Sequence, residues 1–473
     1  MLYKKIIVLL LTGCILLGWQ AVAGQVKLPR LVSDGMVLQR GVPIKIWGWA
    51  APGENITVQF DGEKVSAMTG DDREWSVLLK PRKAGGPYIM EVSGINHIRL
   101  KDILVGDVWV CSGQSNMALP IIAHAGNPSI RQFSVATRYN FTGPLEDLSS
   151  GRWEPADTAS VLRFTAAGYF FARTLFEKYH VPIGLLKVSA GDSPAEAWLS
   201  ENALYAFPAY RDIAAKYKDS AYQDSIAEKD KVVQPVGLFN GMIGPLLSYA
   251  IKGVIWYQGE ANTGKTGEYR TLFPALIADW RAHWKEGNFP FLYVQLANYG
   301  ETKDQPSESN LAELREAQRL TLSVPATAMA VTTDIGEWND IHPLDKEDVG
   351  RRLALAAEKL VYGDRWVVPS GPLYESMHIS GNEIHVHFSN IGEGLVARGG
   401  GELRHFAIAG GDKKFVWAKA RIAGDKVIVW NEQIQHPVAV RYGWADNPDG
   451  ANLYNKADNK AWLPASPFSA EKK

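Results

Sequence analysis

The sequence predicts an α/β protein, a three-layer α/β/α domain around a five-stranded parallel sheet, with β-rich regions before and after it in the chain. Three observations predict this. From about Lys27 to Leu104 apolar residues alternate in twos. Between Ile103 and Val361 short apolar runs alternate with stretches of helical spacing, and after Asp364 the period of two returns. A length of 473 residues also favours two or three domains, since single cores stop growing well short of that size.

Residues 1–23 are expected to be a signal peptide. Lys4 and Lys5 precede an apolar run, and Ala21-Val22-Ala23 stands before Gly24 as a small-residue cleavage site. The run is short and interrupted by Gly13, Gly18 and Gln20, so it predicts export to the periplasm or medium and no membrane span. Leu11-Thr12-Gly13-Cys14 offers the alternative of a lipoprotein anchored through Cys14. With cleavage after Ala23, Cys111 is the only cysteine left, which excludes an intrachain disulfide and a cysteine metal cluster.

Residues 24–105 read as a small β-domain. Ile44 and Ile46, then Ile56, Val58 and Phe60, then Trp75, Val77 and Leu79, then Tyr88, Met90 and Val92 alternate between turns such as Pro52-Gly53 and Asp61-Gly62. Residues 106–365 carry candidate strands at 107–111, 183–188, 253–257, 291–296 and 328–333. Phe164, Gly168, Phe171, Leu175 and Tyr179, and again Val349, Leu353, Ala356 and Leu360, recur at helical spacing. Alternating strand and helix imply right-handed crossovers, a parallel sheet covered on both faces, and ligand binding at the carboxyl ends of the strands. Residues 366–473 return to strands through Ile384, Val386 and Phe388, then Val427 and Val429, then Val438 and Val440.

Fifty Lys and Arg against 51 Asp and Glu leave no basic excess to neutralise a phosphate backbone, so no nucleic-acid partner is expected. The 16 Trp and 18 Tyr suit sugar rings, but most such residues serve core or interface packing.

Three segments fall just beyond predicted central strands and should converge on one rim. Ser115 lies in a Gly-containing turn four residues past Cys111. A serine hydroxyl needs a base to take its proton, and without one it is an ordinary capping residue. Asp340-Ile341-His342-Pro343 supplies a histidine with a carboxylate two residues away, on the same side of an extended loop. Asp340 and Asp345 serve equally as caps of the following helix. Trp256-Tyr257-Gln258-Gly259-Glu260 offers a side-chain amide, Gln258, as a donor to an oxyanion, or else as a tie for its own loop. Glu260 reads as a base or as a structural carboxylate. Gly191 offers a backbone N–H, or is a turn glycine with positive φ.

Taken together, these segments resemble the sialate O-acetylesterase family of the SGNH hydrolase superfamily. The resemblance is carried by Leu28-Pro29 through Met36-Val37-Leu38-Gln39-Arg40, by Gly113-Gln114-Ser115-Asn116-Met117 and by Pro194-Ala195-Glu196-Ala197-Trp198. Phe239-Asn240-Gly241-Met242-Ile243, Trp256-Tyr257-Gln258-Gly259-Glu260 and Asp340-Ile341-His342-Pro343 complete it. It implies a flavodoxin-like catalytic sheet, Ser115 as nucleophile and His342 as general base and acid, while the loop spacing offers Asp340 as the orienting acid. It further implies an oxyanion hole from the Ser115 and Gly191 N–H groups plus the Gln258 amide, with Gln114, Asn116 and Glu260 in supporting or substrate-binding places. No metal or organic cofactor is implied, and the substrate is an O-acetylated carbohydrate.

The chain departs from the superfamily where Gln114 replaces the usual Asp, Gln258 the usual Asn, and Asp340-x-His342 the usual Asp-x-x-His. A backbone carbonyl is the alternative orienter of His342. Sialic acid esters are the first expectation for the substrate, with acetylated xylan or pectin as the alternative. A non-catalytic sugar-binding protein is the reading from another class. A sialic acid carboxylate favours a rim arginine, and Arg131, Arg138, Arg163 and Arg315 are the candidates.

Overall fold

A computed structural model describes residues 25–472 apart from Ala123, Lys218 and residues 459–460. The predicted signal peptide and Cys14 lie outside the described residues. The N-terminal strands are β1 (Val37–Gln39), β2 (Ile44–Trp49), β3 (Asn55–Phe60), β4 (Glu63–Met68), β5 (Glu74–Leu79), β6 (Gly85–Ser93) and β7 (His97–Gly113). Their alternation buries one face: Ile44, Ile46, Ile56, Val58, Phe60, Trp75 and Val77 are all in the core.

Strand β7 changes the expected domain picture. Its first half pairs antiparallel with β6, its middle pairs parallel with β1, and its second half enters the central sheet. The boundary expected at 105/106 thus falls inside one 17-residue strand, and one hydrophobic core runs from Val26 to Ala357. The small β-domain and the central sheet share that core because the residues of β7 from Ile103 to Gly113 are all buried.

The central sheet continues through β8 (Ile130–Ser134), β9 (Trp153–Pro155), β10 (Ile183–Ser189), β11 (Gly253–Tyr257), β12 (Phe291–Val294) and β13 (Thr327–Ala330). Its order is β13-β12-β11-β7-β10-β8-β9. Every neighbouring pair is parallel except β8 with β9, so six strands run parallel and not the five expected. The five predicted strands are all present. The one overlooked, β8, reads Ile-Arg-Gln-Phe-Ser, neither an apolar run nor a clean alternation. Its polar members are buried because loops satisfy them: Arg131 donates to Gly35 O and pairs with Asp102, and Gln132 accepts from Thr165 N.

The helices are α1 (Ser115–Ala118), α2 (Ala166–Tyr179), α3 (Glu201–Leu204), α4 (Pro208–Lys216), α5 (Ser220–Ser225), α6 (Thr266–Trp284), α7 (Asn310–Leu320) and α8 (Lys346–Leu360). Trp109 of β7 meets Phe171 of α2, while Trp256 of β11 meets Phe273 and Trp280 of α6. In the register of β7 and β11, Trp109 lies opposite Gly253 and Trp256 opposite Ser112, so the two indoles occupy opposite faces of the sheet. Helices therefore cover both faces. Three of the four long helices begin where a cap predicts: Thr165 for α2, Ser309 for α7 and Asp345 for α8 accept N–H groups of their first turns, while α6 starts after Lys265 without a side-chain cap. Among the described residues no helix is long and apolar enough to cross a membrane.

From Leu373 to Glu471 the chain forms further antiparallel sheets around a second core, including Ile384, Val386, Phe406, Ile408, Val427, Val440 and Phe468. This region docks at the β12 end of the central sheet. Fully buried Arg315 of α7 donates to Leu296 O and Ala297 O beyond β12, and to Ala445 O and Asp446 O of the C-terminal region.

Candidate active site

The site is built at the carboxyl ends of β7, β11 and β13. Strand β7 ends at Gly113, where φ is +130° and an added Cβ would lie 2.1 Å from Tyr257 O. Only glycine lets the backbones of β7 and β11 approach so closely there. The next amide, Gln114 N–H, donates to Tyr257 O, and the chain turns directly into α1 with Ser115 at its head. A first-turn residue has an N–H with no partner in the helix ladder, so the Ser115 amide is left for a ligand.

His342 arrives from the loop between β13 and α8, 227 residues away in sequence, and its Nε2 lies 2.8 Å from Ser115 Oγ. This is the distance of a real hydrogen bond. Asp340 sits differently from the expected orienting acid. Its Oδ1 accepts the His342 backbone N–H at 2.7 Å and stands 3.9 Å from Nδ1 of the ring. The carboxylate holds the loop backbone and presents charge to the imidazole, without a direct bond to the ring. Asp345 is the residue that caps α8, so the two aspartates divide the roles that the sequence left open.

Gly191 is not a positive-φ turn glycine; its neighbour Asp192 takes the left-handed conformation at φ +58°. Gly191 faces Ser115 at ordinary contact distance. A Cβ added there would meet Ser115 Cβ at 3.9 Å and nothing closer. The turn is braced by Ser193 Oγ, which donates to Ala190 O and accepts from Trp198 Nε1.

Gln258 bonds within its own neighbourhood. It is fully buried, and its Nε2 donates to Asn262 Oδ1 at 2.6 Å and to Ser193 O at 3.3 Å. Asn262 cannot be turned round, because its Oδ1 also accepts from Ala195 N while its Nδ2 donates to Glu196. An amide nitrogen has two hydrogens, and both are spent. In this structure Gln258 ties the strand end of β11 to the 190–195 loop, and its Oε1 is buried without a partner.

Gln114, Asn116 and Glu260 brace the floor. Gln114 Oε1 accepts from Gly259 N and Ala261 N. Asn116 Nδ2 donates to Glu260 Oε1 at 2.6 Å and to Ile341 O at 3.0 Å, joining the residue after the serine to the residue before the histidine. Burial pushes the Glu260 carboxyl up from its ordinary value, and the Asn116 bond works against that shift. Lys346, buried at the start of α8, donates to Pro343 O and lies over the Tyr257 ring. Its ammonium is pushed down to about 8 by burial, with Glu260 opposing. Sequence reasoning missed Lys346, Asn262 and Glu196, whose roles rest on contacts with other segments: Asn262 meets Ala195 and Glu196, and Lys346 lies over Tyr257.

A cavity of about 330 Å³ opens beside this constellation, lined by Asn116, Tyr257, Glu260, Leu296, Tyr299 and Ile341 among others. Asp446 of the C-terminal region closes one side. None of the four arginine candidates lines it. Arg315 is spent on carbonyls, Arg131 on Gly35 and Asp102, and Arg163 on Ala159 O and Glu154, while Arg138 lies elsewhere. Among the described residues no three His, Cys, Asp or Glu side chains are gathered as metal ligands.

The chain's similarities agree with this geometry. The sequence family described as carbohydrate esterase, sialic acid-specific acetylesterase, matches residues 105–359. The sialate O-acetylesterase of Homo sapiens is 32% identical over 395 residues, covering 74% of this chain and 73% of that protein. That of Pongo abelii is 29% identical over 490 residues, covering 93% and 91%. A novel carbohydrate acetylesterase from Xanthomonas citri, known from its crystal structure, superposes with a TM-score of 0.85 at 40% identity, covering 95% of this chain and all of that one. The chain belongs to the sialic acid-specific acetylesterase family of carbohydrate esterases, and it is an ester hydrolase.

Proposed function

We propose that this protein removes acetyl groups from a carbohydrate with Ser115 as nucleophile and His342 as general base and acid. The observation that carries the reading is the 2.8 Å contact between His342 Nε2 and Ser115 Oγ, made by two loops that both leave the carboxyl ends of parallel strands. The five predicted strands lie in the order second, first, third, fourth, fifth, which supports a flavodoxin-like sheet extended at one edge by β8 and β9. Ser115 and Tyr257 then flank the point where the strand order reverses.

In the first half-reaction Ser115 Oγ attacks the acetyl carbonyl carbon while His342 Nε2 takes the hydroxyl proton. The developing oxyanion is met by the backbone N–H groups of Ser115 and Gly191. The bond from the carbonyl carbon to the sugar oxygen breaks, and His342 returns its proton to that oxygen. Water, deprotonated by His342, attacks the acetyl-serine and releases acetate, and the proton passes back to Ser115. Ser115→Ala should lower acetate release from 4-nitrophenyl acetate by at least about 10⁴-fold with an unchanged circular dichroism spectrum. Turnover within tenfold of the parent enzyme would overturn the assignment.

Sialate esters are what the names of the curated relatives specify. A neutral polysaccharide such as acetylated xylan is favoured by one observation, the lining of the cavity. Its charged members are the carboxylates Glu260 and Asp446, and it holds no Arg or Lys, whereas sialic acid brings a carboxylate of its own. Acetate release from acetylated xylan measured against O-acetyl sialic acid separates the two.

A further inference from the structure

Resting on that reading, we infer that the protein holds a second sugar subsite beside the catalytic cavity, with Trp338 as its stacking platform, and that its ligand is an uncharged pyranose unit of the same oligosaccharide. Trp338 stands four residues before His342 and is 60% exposed, an unusual placement for an indole. It lines a cleft of about 710 Å³ together with Glu301, Glu337, Asn339 and Asp449. Asn298 lines both this cleft and the cavity beside Ser115, so the two share a wall.

The platform is held in place from several sides. Gly300 N–H donates to Trp338 O, Gly336 N–H donates to Asn298 Oδ1, and Glu337 Oε1 accepts from Leu344 N. Asn298 Nδ2 donates to Asn447 Oδ1, whose own Nδ2 donates to Gly300 O. Asn298 and Asn447 are therefore committed to bracing. Among the described residues the side chains of Glu301 and Asn339 make no hydrogen bond within the chain, which leaves them for ligand hydroxyls. A braced backbone under an exposed aromatic ring stacks a pyranose face at little ordering cost. The charged side chains of the cleft, Glu301, Glu337 and Asp449, accept from hydroxyl groups and repel a second carboxylate, which favours a neutral sugar.

The test compares Trp338→Ala with the parent enzyme on acetylated xylotetraose and on 4-nitrophenyl acetate, which is too small to reach the second cleft. The KM for acetylated xylotetraose should rise roughly tenfold while kcat/KM for 4-nitrophenyl acetate stays unchanged. An unchanged KM for the oligosaccharide overturns the subsite, and so does an equal loss on both substrates. Calorimetric titration of Ser115→Ala with unacetylated xylotetraose gives an independent reading. Binding that disappears in the Ser115→Ala, Trp338→Ala double variant supports the subsite, and absence of binding to Ser115→Ala overturns it. Retained esterase activity in Ser115→Ala would instead refute the catalytic assignment, so the two failures are distinguishable.

Discussion

His342 meets the serine through Nε2, so the proton on Nδ1 decides whether the ring is in the tautomer that can act as a base. Asp340 faces that nitrogen at 3.9 Å, and the two side chains are 41% and 47% exposed. At such exposure a unit charge at this distance is worth nearer the aqueous end of its range, about 1–2 kcal/mol. Asp340→Asn keeps an oxygen for the His342 backbone N–H and removes only the charge. It should lower kcat/KM for 4-nitrophenyl acetate by roughly five- to thirtyfold, far less than Ser115→Ala. A loss as deep as that of Ser115→Ala would show that Asp340 bonds the ring directly in the working enzyme. Gln258 carries the opposite lesson. Its residue type suited an oxyanion donor, yet the partners on Asn262 and Ser193 decided where its hydrogens went.

At the scale of elements, the loop from β13 to α8 owes its precision to what lies under it. Asn116 holds Ile341 O, Lys346 holds Pro343 O, and Glu260 stands between them. Lys346 is the buried member whose titration should be visible. Its folded-state value of about 8 lies below the usual lysine value of about 10.4, so the unfolded chain binds more protons between those limits. The cost of burying its charge is present in full below pH 8 and is relieved as pH rises towards 10. Denaturant titrations from pH 7.5 to 10 should show the parent gaining about 2–3 kcal/mol relative to Lys346→Met. Parallel pH profiles would remove Lys346 from this account. The elements themselves were largely legible: all five predicted central strands and both helices with the clearest periodicity are present. β8 was not, because Arg131 and Gln132 disguise a buried strand whose polar atoms are satisfied by distant loops.

Over the whole molecule the C-terminal region is part of the site. It contributes Asp446 to the cavity beside the Ser115 and His342 pair and Asp449 to the cleft at Trp338. Arg315 fastens it there with a fully buried guanidinium that donates to four carbonyls. Arg315→Ala leaves those carbonyls buried and unpaired, and should cost about 3 kcal/mol or more in denaturant unfolding. It should also expose the chain to proteases near the Asp446 loop. A loss below about 1 kcal/mol would mean that the two cores hold together without this anchor. The five expected central strands, the buried stripes and the loops that carry Ser115 and His342 were legible in the sequence alone, because periodicity and turn chemistry are local properties. That Gln258 is a brace, that Lys346 and Arg315 are buried, and that Asp446 and Trp338 border the site were decided only by the tertiary structure. Those facts depend on which groups from other segments of the chain pack around each side chain, and no local pattern records them.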